Sequence, residues 1–397
     1  MAINPHILTW ARETAGLSVD EAAHAMGFKD THERTGTERL EALEAGIEEP
    51  SRSVLLSMAR VYRRSLLVFY LSEPPRAGDR GQDFRRAPGV KPPAYDPTLD
   101  ALIRDIRGRQ GIVKDLLEEA EVSGVDYVGS VTMDVPPMEL ARRMATRLGF
   151  SLAAFRGQAN VQAAFSYLRD KIEALGTFVL LLGNLGSHHT NIPSGVFRGY
   201  AIADPVAPFV VVNDQDAQIA WAFTALHELT HLWLGTTGVS GGTTDTKIES
   251  YCNEVAGEML LPTPEINELR FLRRASLEET IGAIAQFASR RKISRPMVAY
   301  KLLRVDAITR ARWQELDMHY QGEWNAAQAQ SVSQDKSEGG PSYYVVKRHR
   351  LGHALLGLVK NSLAEGFLTY TRAGRVLGVK PRNVDPLIHM VGMRGSQ

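Results

Sequence analysis

A chain of 397 residues is too long for a single ordinary core, so two or three folding units are the starting expectation. With 44% hydrophobic and 23% charged residues it reads as globular, which excludes a disordered or fibrous chain. It has no run of about 18 apolar residues and no secretory-signal order at its amino terminus, and its one cysteine, Cys252, excludes an intrachain disulfide; a reducing, cytoplasmic setting away from membranes is expected. The net charge of +1 conceals an asymmetry: residues 1–75 carry 8 Lys/Arg against 11 Asp/Glu, whereas 341–397 carry 9 against 2, so a polyanion would meet the carboxyl end more favourably.

Residues 7–70 place apolar side chains at helical spacing, punctuated by Gly16, Gly27, Gly46 and Pro50. Ser18 can cap a helix through Ala22, Ala23 and Met26, with Glu21 as its reciprocal partner and Gly27 as the stop. A short helix through Leu40, Leu43 and Ala45 follows, and a longer one is predicted from Arg52 to Phe69. Gly, Pro and charge fill 76–98, which reads as a linker between a 1–75 domain and a 99–322 domain. Within the latter, 99–122 and 136–175 are predicted helical, and Thr177–Leu182, Val196–Ile202 and Phe209–Val212 are predicted strands of a small, mainly antiparallel sheet, the last two joined at Asp204-Pro205. One helix is predicted from Asp216 to Leu234, capped by Asn213, Asp214 or Asp216 and stopped by Gly235, and another from Lys247 to Leu261, ended by Pro262. Residues 276–315 continue helical. The stretch 323–341 lacks an apolar period and reads as a flexible joint before a basic helical region, 342–397.

The chemistry concentrates in His227-Glu228-Leu229-Thr230-His231, inside the Asp216–Leu234 helix. Four residues make slightly more than one turn, so both imidazoles project from one face at a separation that a tetrahedral zinc ion can bridge. Glu228 falls beside the ion, where it can serve as general base toward water. Two core histidines satisfied by hydrogen bonds are the plain alternative, but a carboxylate buried between them is costly without a cation. Glu228 is the one charged residue between Ala217 and Leu234, and Phe223, Leu226, Leu232 and Trp233 would bury this helix.

A third ligand is needed, and Glu249 on the next helix is the best candidate, with Asn253 one turn further on to orient a ligating group. Ala256 and Gly257 let the two helices approach closely. Glu254 and Glu258 are rivals on a different face. Cys252 is a competent zinc ligand only about 60° round the helix from Glu249, although a small buried residue is the simpler reading. His188 and His189 are either loop histidines or an electrophile for the tetrahedral intermediate. Phe209–Val212 is either a core strand or an exposed edge able to take an extended substrate.

Three blocks, Val211-Val212-Asn213-Asp214, Phe223 to His231 and Glu249 to Pro262, together resemble the ImmA/IrrE-type zinc metallopeptidases that carry an amino-terminal XRE-type helix-turn-helix domain. The resemblance implies an α+β, mainly helical, multi-domain chain with a zincin-like core. It also implies Glu249 as third ligand and a repressor or antitoxin-like protein as substrate. Leu8 to Arg12, Gly16-Leu17-Ser18, Glu44-Ala45-Gly46 and Leu67 to Leu71 are similar to the helix-turn-helix module. Glu38, Glu41 and Glu44 against Arg39 alone would oppose phosphate binding there. DNA contact through Leu368–Met390, a pattern of two short helices in the basic end, is the other candidate. The rival function is a DNA-binding regulator or antitoxin with a structural or vestigial zinc site.

Overall fold

The computed structural model describes residues 3–75, 82–83, 97–241, 246–334 and 342–389. They fall into two compact units, one of Met1–Arg80 with Val90–Arg107 and Asn184–Thr190, the other of Gly81–Gly89, Gly108–Gly183 and Asn191–Gln397. Most of the expected 76–98 linker lies outside the described residues.

The first unit is built on α1 (Pro5–Glu13), α2 (Val19–Met26), α3 (Gly36–Glu44) and α4 (Arg52–Val61), followed by a 3-10 turn at Leu66–Tyr70. Ile7, Leu8, Leu40, Met58 and Phe69 are fully buried at its centre. Ser18 and Glu21 form the reciprocal cap expected for α2, and Thr35 with Glu38 forms a second one at α3. The helix expected over Arg52–Phe69 is instead broken: Tyr62 caps α4 and Arg63 turns left-handed at φ 54° before the chain restarts at Ser65. Glu44 does not stand ready to repel phosphate, because the Arg12 guanidinium holds it, Nε to Oε1 at 2.8 Å, with both side chains largely buried.

The second unit takes in β1 (Gln82–Asp83), the part of α5 (Pro97–Glu119) from Gly108 onward, α6 (Pro137–Leu148), α7 (Leu152–Arg156) and α8 (Val161–Glu173). Next come β2 (Phe178–Leu181), β3 (Gly199–Ile202), β4 (Phe209–Val212), α9 (Trp221–Trp233), β5 (Gly238–Ser240) and α10 (Lys247–Leu260). A 3-10 stretch, Thr263–Arg274, leads to α11 (Leu277–Arg291), α12 (Arg295–Arg304) and α13 (Arg310–Gln334). The unit closes with α14 (Tyr343–Leu351), α15 (His353–Ala364), α16 (Tyr370–Leu377) and α17 (Val384–His389). Helix α13 runs to Gln334, into the stretch expected to be a flexible joint. Its Glu, Ala and Gln residues favour helix without needing an apolar face. The rest of that joint, 335–341, lies outside the described residues.

The sheet order is β1-β5-β3-β4-β2. It is mixed, not mainly antiparallel: β3 pairs antiparallel with β4 and β5, while β2–β4 and β1–β5 are parallel. The Asp204-Pro205 connection reveals only the local β3–β4 pairing, and the parallel partners come from far along the chain. Strand β4 lies between β3 and β2, so Phe209–Val212 is a core strand and not the exposed edge weighed above. All residues of β2, β3 and β4 are buried, which explains their unbroken apolar runs. Alternate positions Val179, Leu181, Ala201, Val210 and Val212 share one core with Leu226, Leu229 and Leu232 of α9 and with Val255, Ala256 and Met259 of α10.

Residues 342–389, read from the sequence as a basic region of their own, group with this second unit. A buried ion pair on α8 ties them in. Arg169 Nε donates to Glu173 Oε1 at 3.1 Å, and the guanidinium also donates to the carbonyls of Val179, His349 and Arg350. Glu173 Oε2 accepts the amides of His353 and Ala354, each at 2.9 Å, capping α15. Gly352 fits this turn because its φ is 80° and a Cβ there would sit 2.0 Å from Glu173 Oε1.

Candidate metal centre

Helix α9 starts later than expected, at Trp221 after a 3-10 turn over Gln218–Ala220, with no side-chain cap. Asn213 is occupied elsewhere: its amide donates to the carbonyls of Ile192 and Phe197, both at 2.9 Å. Gly235 ends the helix in the left-handed region, φ 69°. Between Trp221 and Trp233 only Phe223 escapes full burial, so the apolar surround drives the two histidines and the glutamate inside with it.

One helical turn brings His227 Nε2 and His231 Nε2 to 3.1 Å. Glu249 enters from the first turn of α10, where Thr246 caps the helix and the helix dipole favours a carboxylate. Its Oε1 lies 3.1 Å from His231 Nε2 and its Oε2 3.3 Å from His227 Nε2. The far nitrogen of each ring is also held: His227 Nδ1 is 3.0 Å from Asn253 Oδ1, and His231 Nδ1 is 3.0 Å from Thr236 Oγ1. Asn253 Oδ1 accepts from Nδ1, so when the His227 ring is neutral its Nε2 lone pair is the one turned toward His231 and Glu249, and when it is protonated Nε2 donates to Glu249.

Glu228 is fully buried; among the described residues neither carboxylate oxygen has a partner at hydrogen-bond distance, and the Ser240 hydroxyl is the polar group that acts on it, opposing the effect of burial. It lies against the backbone of β3: a Cβ at Gly199 would sit 2.1 Å from Glu228 Oε1. Burial, reinforced by the charge of Glu249, pushes Glu228 up to about 8. Burial likewise takes His231 down to about 4. For Glu249 burial acts upward, but hydrogen bonds from both imidazoles overcome it and bring the carboxyl down to about 2. His227 is raised, the Glu249 and Glu228 carboxylates outweighing the opposing effect of burial. Such a polarised cluster, with a second carboxylate fully buried beside it, is what a divalent cation would neutralise.

The donor set fits zinc. Zinc bonds to nitrogen and oxygen of 2.0–2.1 Å give tetrahedral donor–donor edges of about 3.3 Å; the two imidazole nitrogens are 3.1 Å apart and each faces its own Glu249 oxygen, His231 with Oε1 at 3.1 Å and His227 with Oε2 at 3.3 Å. Cys252 also faces this region, its thiol forming with the two imidazoles a looser group whose ligand atoms lie within 4.8 Å of one another. The glutamate is the better match to a coordination edge, and burial raises the thiol well above its ordinary range. The rivals on α10 are engaged elsewhere, Glu254 with Arg304 and Glu258 with Lys301 and the Thr263 amide. His188–Thr190 form a 3-10 turn that belongs to the first unit, and the His189 side chain is exposed.

Three neighbours of the centre were not singled out from the sequence: Thr236, Ser240 and Gly199. Ser240, at the end of β5 and 3% exposed, brings its hydroxyl to 3.4 Å from His231 Nε2 and 3.5 Å from Glu249 Oε1. Thr236 carried one usable signal, its place just after the glycine that stops α9.

Residues 184–303 match a peptidase family whose description is IrrE N-terminal-like domain. The match covers less than half of the chain, yet it contains β3, β4, α9, β5 and α10, and so every residue of the centre. It supports a peptidase of the ImmA/IrrE type. No curated protein and no solved structure matches the chain. Among the described residues no helix is long and apolar enough to cross a membrane.

Proposed function

We propose that this chain is a zinc-dependent metalloendopeptidase whose metal is held by His227, His231 and Glu249. Asn253 orients the first imidazole, Thr236 the second, and Glu228 is the catalytic base. One observation carries the reading: two imidazoles of α9 at 3.1 Å from each other, each facing one oxygen of the Glu249 carboxylate of α10 at 3.1–3.3 Å, beside a fully buried glutamate. The packing of α9 and α10 in one core with a small mixed sheet is the arrangement expected of a zincin-like domain.

Bound there, zinc would supply Lewis-acid polarisation of the scissile carbonyl and activation of water. The remaining work falls to the chain. Glu228, the residue next to His227, takes the proton of the attacking water and passes it to the departing amide nitrogen. The Nδ1 hydrogen bonds fix both rings so that neither rotates away during this exchange. Gly199 leaves the space that the glutamate side chain occupies.

The substrate we propose is a regulatory protein, repressor or antitoxin-like, cleaved inside the cytoplasm to alter gene expression. Metal analysis of the purified chain should find one zinc, lost on chelation. Glu228→Gln should keep that zinc and lose cleavage of a co-expressed repressor by at least about 100-fold. Full turnover in that variant removes Glu228 from the mechanism, and absence of bound zinc removes the reading itself.

One feature favours a second role alongside it, DNA contact through Leu368–Met390, of which Met390 lies outside the described residues. Helix α16 and the turn after it expose Arg372, Arg375, Lys380 and Arg382. The helix-turn-helix reading of residues 1–75 offers an alternative DNA surface, with Glu38 and Glu41 exposed against it. Binding to duplex DNA that falls steeply with salt and is lost in an Arg372→Ala, Arg375→Ala variant assigns the contact to the carboxyl end. Salt-insensitive or absent binding rejects it.

A further inference from the structure

We infer that Ser240 supplies the fourth donor of this centre, so that the resting chain closes its own metal site with a serine hydroxyl. The inference rests on the zinc reading above. Zinc in a catalytic site ordinarily keeps one position for water or substrate, and three protein donors account for the other corners. Here the position beside the imidazole of His231 and the carboxylate of Glu249 is filled from β5.

The distances carry the argument. Ser240 Oγ is 3.4 Å from His231 Nε2 and 3.5 Å from Glu249 Oε1. As hydrogen bonds these are at the long limit, well beyond the usual 2.7–3.0 Å or so. As donor–donor edges around one ion they fit, because an edge of about 3.3 Å is what bonds of 2.0–2.1 Å produce. His231 Nε2, Glu249 Oε1 and Ser240 Oγ thus form one triangle of edges at 3.1, 3.4 and 3.5 Å, with His227 Nε2 at 3.1 Å from His231 and facing the other carboxylate oxygen at 3.3 Å.

The face from which Ser240 enters is fixed by backbone, and its hydroxyl also reaches Glu228. Ser240 is the register partner of Gly199, and its carbonyl accepts the amide of Arg198 at 2.9 Å, so β3 holds it from the side on which Glu228 lies. Burial agrees with a closed centre: Ser240 is 3% exposed, and Glu228 and His231 are fully buried. A neutral hydroxyl is a weak zinc donor compared with a thiolate or imidazole, so it can be displaced. The consequence is a peptidase at rest until Ser240 gives way to water or to the carbonyl of a substrate.

Cobalt-loaded protein tests this without reference to turnover. In a Cys252→Ala background, Ser240→Cys places a thiol at the proposed donor position, and a metal-coordinated thiol is deprotonated. The expected result is a sulfur-to-cobalt charge-transfer absorption present in that double variant and absent from Cys252→Ala alone. Ser240→Ala, which removes only one oxygen, should weaken zinc affinity by about 10- to 100-fold. Bound cobalt with no charge-transfer band in the double variant overturns the inference. So does unchanged zinc affinity in Ser240→Ala, or a band in the unmodified chain that Cys252→Ala removes, which would make Cys252 the fourth donor. Each of those outcomes leaves the zinc reading standing. Failure of the unmodified chain to bind zinc or cobalt would defeat both.

Discussion

Gly199→Ala tests the proposed catalytic geometry without replacing a donor or the base. The added methyl would lie 2.1 Å from Glu228 Oε1 and 2.6 Å from both Cδ and Cγ, against an ordinary contact of at least 3.4 Å. To restore that contact the carboxylate oxygen must retreat by about 1.3 Å. Because Cγ is also crowded, rotation of the carboxyl end alone cannot relieve the clash. A misplacement of about 1 Å costs on the order of 100-fold in rate, and overpacking of this kind costs about 1–3 kcal/mol in stability. The proposed zinc donors are other residues of α9 and α10, so metal binding should survive. The assay pairs zinc stoichiometry and thermal unfolding with turnover of a protein substrate: about 100-fold slower cleavage at unchanged stoichiometry is expected. Full turnover in a folded, zinc-loaded Gly199→Ala protein would refute the assignment of Glu228 as base in the position described.

In chelator-treated protein Glu228 is raised to about 8 by burial, so between about pH 5 and 8 the folded chain keeps a proton that the unfolded chain has lost. Stability therefore falls as pH rises, and Glu228→Gln should gain on the unmodified chain by up to about 1.4 kcal/mol per pH unit across that window, read by denaturant unfolding; parallel pH profiles would contradict the burial argument. Glu249→Ala should lose zinc, whereas Glu254→Ala and Glu258→Ala, whose carboxylates pair with Arg304 and Lys301, should retain it; zinc analysis of the three decides which glutamate is the ligand. Glu173→Ala leaves Arg169 charged, buried and without its ion-pair partner and uncaps α15, a loss of about 3–5 kcal/mol by chemical denaturation. A change under about 1 kcal/mol would mean that the pair does not hold the carboxyl-terminal helices.

The sequence reveals whatever is written in a run of neighbouring residues. His227 and His231 are legible because a helix converts a spacing of four into a shared face, and Glu249 with Asn253 because the next helix repeats the device. The Ser18–Glu21 cap is legible for the same reason. The break after Val61 is not, since Arg63 adopts a left-handed φ of 54° where the usual marker is glycine. Strand β5 is only three residues long and gives no period to read.

The unread part of the centre, Gly199, Thr236 and Ser240, consists of common residue types that matter only through tertiary placement. Gly199 and Ser240 face each other across β3 and β5, and the same pairing sets one against the glutamate of α9 and the other against its second histidine and Glu249. Strand register thus positions this chemistry as much as the helical motif does. A one-residue slip of β3 would turn its side chains to the opposite face and bring Arg198 or Tyr200 where only a glycine leaves room for the carboxylate. The buried, continuous apolar runs of β3 and β4 permit such a slip in isolation, because their pattern lacks the polar alternation that fixes register. What forbids it is the pairing on both sides of β3 together with the Asn213 amide, which holds the carbonyl of Phe197 just before the strand begins.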